Sequence, residues 1–121
     1  MMLFKLISDF IGLFGKAKLS EQFFMDARGL RREISDGTVE EIRWAQLKKV
    51  VIVTTDEGPY CEDLFFILEE EQGGTIVSNE WATRLALLKE LEKLPYFDFE
   101  ALIEAMACTD NKSFLCWQRQ H

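Results

Sequence analysis

Residues 47–78, LKKVVIVTTDEGPYCEDLFFILEEEQGGTIVS, decide the reading of the fold. Val50, Val51, Ile52, Val53, Thr54 and Thr55 are all β-branched, the composition of a central strand. Asp56-Glu57-Gly58-Pro59 ends that strand, because proline cannot donate to a sheet ladder and Gly-Pro is turn chemistry. Residues 63–68, DLFFIL, form a second buried strand, and Gln72-Gly73-Gly74 turns the chain back into Thr75-Ile76-Val77-Ser78.

Upstream, Phe23-Phe24-Met25 is a short apolar run, and Ala27-Arg28-Gly29 turns it into Leu30-Arg31-Arg32-Glu33-Ile34. Asp36-Gly37 then predicts a tight hairpin over 30–44 with both central residues at positive φ. About six short strands joined by short turns make an antiparallel meander over residues 20–78. Downstream, Asn79 is the expected N-cap of a helix in which Trp81, Leu85, Leu88 and Leu91, with Leu87 and Leu94 at the margin, recur at helical spacing up to Pro95. Asp98 caps a second helix with Phe99, Leu102, Ile103 and Met106 as its core stripe. Two helices thus occupy 79–107, and the apolar 113–118 is a closing strand or a packed tail.

Residues 2–15, MLFKLISDFIGLFG, are interrupted by Lys5 and Asp9, precede no small-x-small cleavage site and are shorter than the ~20 apolar residues of a spanning helix. They are expected neither to cross a membrane nor to export the chain. On a helix, Leu3, Phe4, Leu6, Ile7, Phe10, Ile11, Leu13 and Phe14 share one arc, and Lys5, Ser8, Asp9, Gly12 and Lys16 share the other. This predicts an amphipathic helix over 1–18. Its apolar face has three candidate resting places: the protein's own sheet, a second copy, or a membrane surface reached with Lys5, Lys16 and Lys18.

The whole chain, 121 residues with 48% hydrophobic and 29% charged, reads as one α+β domain with a core that needs no disulfide or metal. A net charge of −7 opposes phosphate attraction, so nucleic acid is not an expected partner and a basic protein is. Cys61, Cys108 and Cys116 have no C-x-x-C spacing and suit free thiols in a cytoplasm. The one histidine, His121, is the last residue, which disfavours a Ser-His or Cys-His pair, and Gly73-Gly74 lacks the context of a phosphate loop. No catalytic residue, metal site or cofactor is expected.

The charge has a location. Asp56, Glu57, Glu62, Asp63, Glu69, Glu70 and Glu71 lie within residues 56–71 with no lysine or arginine among them, while the other 14 acids balance the 14 bases. These seven acids, with Tyr60 as an amphipathic anchor, are the candidate partner-binding residues. Paired carboxylates of a glycosidase would need something to set their pKa values apart, and a calcium loop would need an alternating D-x-[DN]-x-[DN]-G register; neither is present.

Trp44-x-x-Leu47, Val51-x-Val53-Thr54-Thr55-Asp56-Glu57-Gly58-Pro59, Asp63-Leu64-Phe65-Phe66-x-Leu68, Leu94-Pro95-x-Phe97-Asp98, Thr109-Asp110-Asn111 and Phe114-x-Cys116-Trp117 follow in fixed order. This succession resembles a group of small uncharacterised bacterial proteins over about residues 23–119, a grouping that implies no particular activity. Strands followed by a helix are also similar to bacterial pleckstrin-homology-like domains, in which a helix closes one end of a bent antiparallel sheet. The leading helix and the helix at 98–107 depart from that pattern, and with no basic headgroup loop in sight phosphoinositide binding is not implied. In size, acidity and cysteine usage the chain resembles immunity proteins of bacterial toxin systems, which implies tight binding to a basic toxin.

Overall fold

The computed structural model describes residues 20–56 and 63–120. The amphipathic helix expected over 1–18, together with Glu57, Tyr60, Cys61, Glu62 and His121, lies outside the described residues. The chain is α+β and its strands are antiparallel. β1 (Glu21–Met25), β2 (Gly29–Ile34) and β3 (Val39–Arg43) form one sheet in the order β1-β2-β3. β4 (Lys49–Thr54), β5 (Leu64–Glu69), β6 (Gly74–Ser78) and β7 (Lys112–Gln118) form a second in the order β6-β5-β4-β7. The run of strands therefore divides at Trp44–Gln46, a 3-10 turn between β3 and β4.

β4 is central, as its β-branched composition requires, and the segment at 113–118 is the strand that completes its second side. A bulge opposite Val50 and Val51 admits one extra residue in β7, so Cys116 and Trp117 both turn inward. The core lies between the two sheets. Phe23, Leu30 and Ile42 face it from one side, and Val50, Ile52, Phe66 and Leu68 from the other.

The β2–β3 hairpin forms where Asp36-Gly37 puts it, with a different turn. Only Gly37 has positive φ (96°), and the Gly37 N–H donates to the Ile34 carbonyl at 2.9 Å. Asp36 instead accepts the Thr38 N–H at 2.9 Å, the longer loop demanded by the pairing of Glu33 with Val39. Gly29 is fixed by close approach: a Cβ there would stand 1.9 Å from the Ile42 carbonyl oxygen.

Three further expectations are corrected. Ser78, not Asn79, is the N-cap of α1 (Asn79–Leu85): its hydroxyl accepts the Trp81 N–H at 3.3 Å, one residue earlier because β6 runs directly into the helix. The helix read as continuous to Pro95 breaks at Ala86 (φ 55°, ψ 42°), and α2 (Leu87–Leu91) starts anew. The break rotates the following turn so that Leu87 and Leu91, an i,i+4 pair, enter the core while Leu88 stays half-buried. In α3 (Phe99–Ala107), Asp98 caps as expected, accepting the Ala101 N–H at 3.0 Å. Its expected core stripe holds only at Leu102, which is buried together with Ala105, whereas Phe99 (47% exposed), Ile103 (66%) and Met106 (49%) are largely exposed. The small Ala105 lets this side of α3 lie close to β7, which fixes the rotation of the helix.

Ala86 holds a left-handed conformation that costs an L-residue about 1 kcal/mol. Ala86→Gly should therefore raise the stability measured by urea unfolding by about 0.5–1 kcal/mol, despite glycine's larger unfolded-state entropy. A loss of stability would show that the break is not strained.

Candidate partner-binding site

The acids of residues 56–71 fall at opposite ends of one strand pair. Asp56 and Asp63 flank the mouth of the β4–β5 hairpin, where the Thr55 N–H donates to the Asp63 carbonyl at 2.9 Å. Glu69, Glu70 and Glu71 lie at the far end, about 20 Å away along a six-residue strand. A solvated acid needs to be at a strand end or in a turn, and the buried run Leu64–Leu68 keeps the two groups apart.

The two ends differ in what surrounds them. At the near end the turn before β7 is pinned against the hairpin mouth: the Thr54 hydroxyl donates to the Asp110 carbonyl at 2.7 Å, and Asn111 Oδ1 accepts the Asp56 N–H at 3.3 Å. Asp110 thereby joins Asp56 and Asp63, with Lys112 as the basic residue at the start of β7. The loop carrying Glu57, Tyr60 and Glu62 springs from the same place and lies outside the described residues. At the far end two of the acids have partners: Glu70 accepts the Arg43 N–H at 2.7 Å and Glu71 lies 3.6 Å from Lys48 Nζ, while Glu69 Oε2 is buried with no hydrogen-bond partner among the described residues. Sequence position alone counted all seven as one surface; folding leaves Asp56 and Asp63, joined by Asp110, as the less compensated end.

A groove lies elsewhere on the molecule, at the three-stranded sheet. Its 790 Å³ run along the β1–β2 turn and the end of β3, lined by Phe24, Arg28, Arg31, Arg43 and Trp44 among others. The Arg31 guanidinium lies 5.3 Å from the centre of the Phe24 ring and 2.8 Å from Glu33, and Trp44 Nε1 donates to the Asp26 carbonyl at 3.2 Å. The alternation of Phe24, Arg31 and Glu41 across three registered strands was the available signal, and it requires the register to be known.

Asp26 braces the β1–β2 turn that lines the groove. Its carboxylate accepts the Arg28 N–H at 2.8 Å and the Gly29 N–H at 3.1 Å, which stabilise the charged form and hold its pKa below the ordinary 3.8. Burial pushes the Cys116 thiol up to about 11, with a smaller push from Asp98, so Cys116 is a neutral core side chain at physiological pH. Among the described residues, no three His, Cys, Asp or Glu side chains are grouped to hold a metal ion. No helix among them is long and apolar enough to cross a membrane. Comparison with protein-family models, with curated proteins and with solved structures returned no match.

A carboxyl group whose folded pKa is depressed contributes stability that is complete above its unfolded pKa and lost as pH falls through the folded one. Asp26 and Asp36 both meet this condition, Asp36 through Thr38. The urea midpoint of the protein should fall between about pH 5 and pH 3, with a smaller fall in Asp26→Asn, the two curves converging at the acid end. Identical slopes would show that the turn does not sense its carboxylate.

Proposed function

We propose that the chain is a non-catalytic protein-binding protein, an antiparallel scaffold of the pleckstrin-homology-like kind that presents an acidic end to a basic protein. Its most concrete form is a toxin immunity protein of the cytoplasm. The observation that supports this reading is the collection of Asp56, Asp63 and Asp110 at one end of the sheet, beside the loop of Glu57, Tyr60 and Glu62, while the distal Glu71 and Glu70 are engaged by Lys48 and the Arg43 amide. Carboxylates gathered from separate segments act together on an approaching cation-rich surface. That raises the association rate and rejects partners of the wrong sign.

Tyr60 adds the aromatic component that a charged patch needs for a slow off-rate, since binding energy concentrates in aromatic and arginine anchors. Glu69, Glu70 and Glu71 take a lesser part in this reading. Glu70 and Glu71 are engaged by the Arg43 N–H and Lys48, and Glu69 Oε2 is buried.

The immobilised chain should capture its partner from native cell extract at low salt and release it as salt rises. With that partner in hand, Asp56→Lys combined with Asp63→Lys should lower the association rate about tenfold or more at low salt, and Glu70→Lys combined with Glu71→Lys much less. Equal effects of the two pairs, or association indifferent to both, would remove the acidic end from the interface.

A further inference from the structure

The four-stranded sheet is buried on both faces, and described elements account for one cover only. On its inner face lie the three-stranded sheet and the three helices. On its outer face Val51, Val53, Phe65, Ile67 and Ile76 form a separate cluster made of sheet residues alone. Ile67 is 0% exposed and Ile76 3%, whereas Leu115, on the same face at the β7 margin, is 49% exposed. Apolar side chains on an open sheet face stand in water; these do not. Cover therefore extends over β4, β5 and β6 and stops short of β7. It also reaches the strand end, where Glu69 Oε2 is buried with no hydrogen-bond partner among the described residues.

We propose that the apolar arc of residues 3–14 is that cover. Chain length alone limits residues 57–62, which leave and return at the Thr54–Leu64 end, to a reach of about 10 Å, short of Glu69. The chain before Ser20 is the remaining length. A 12-residue helix is about 18 Å long and 10–12 Å wide, which matches the ~20 Å of a six-residue strand and the ~10 Å across three strands. Its arc of leucine, isoleucine and phenylalanine is the complement of a valine, isoleucine and phenylalanine surface.

The connection reaches. Glu21, the first residue of β1, holds Arg32 Nε at 2.7 Å; Arg32 Nη1 holds Glu40 at 2.9 Å; and the same Glu40 oxygen accepts the Thr75 hydroxyl at 2.8 Å. One guanidinium and one carboxylate thus separate the start of β1 from β6, the edge strand that carries Ile76. Five residues, 15–19, extend up to about 17 Å, more than the ~10 Å spacing of stacked layers, and can pass around that edge.

Methyl-labelled full-length chain tests this directly by NMR. Nuclear Overhauser contacts from the Ile7 or Ile11 methyls to those of Ile67 and Ile76 are expected, undiminished when labelled chains are diluted into unlabelled ones. In the full chain carrying Ile11→Asp, those contacts should be lost and fluorescence of an apolar dye should rise. Contacts that appear only between differently labelled chains would assign the face to a second copy and overturn the proposal. So would an absence of contacts, with or without partitioning of the chain onto vesicles of phosphatidylcholine and phosphatidylglycerol. Should Ile11→Asp fail to fold, the unmodified chain still decides the matter.

Discussion

The constraint on which the rest of this structure depends is that β4 and β5 carry large apolar side chains on both faces. Val50 and Ile52 point one way from β4, and Val51 and Val53 the other; Phe66 and Leu68 oppose Phe65 and Ile67 in β5. A sheet of this kind cannot leave one side to water, because each exposed side chain would forfeit about 1.5–3 kcal/mol of burial. It must sit in the middle of a layered structure. β7 completes its hydrogen bonding on one side, the β1–β3 sheet and the helices cover the inner face, and the outer face demands a layer of its own.

Polar contacts set how the layers are registered. Arg32, largely buried, bridges Glu21 and Glu40, and Glu40 reaches across to Thr75 in the other sheet. Charged groups buried this far are stable only with all partners present; removing the arginine would strand two carboxylates at a cost of about 3–5 kcal/mol. At the opposite corner, Arg119 donates to the carbonyls of Leu47, Trp44 and Ala45, tying the end of β7 to the turn that separates the two sheets. Both clamps join segments distant in sequence. The acidic end of the sheet sits outside this framework.

Much of the architecture was legible because it is written in local patterns. The β-branched run at 50–55, the Asp36-Gly37 turn and the Asp98 cap each specify a strand, a hairpin or a helix start through the residues themselves. What was not legible depends on rotation and register. The stripe Phe99, Ile103 and Met106 is as apolar as the one that is buried, and only the closeness allowed by Ala105 selects the other side. Ala86 carries no sign that it ends a helix. The seven acids fall within residues 56–71 but sit at the two ends of a buried strand, and the arginine and aromatic groove exists only once three strands are paired.

Native-state hydrogen exchange at the amides of Ile52, Phe66 and Ile67 tests the two-faced sheet most directly. If β4 and β5 are interior on both sides, these amides exchange only through global unfolding, and their opening free energies equal the stability measured by denaturation. Opening free energies several kcal/mol below that stability, with urea dependence too shallow for global unfolding, would contradict a sheet covered on both faces.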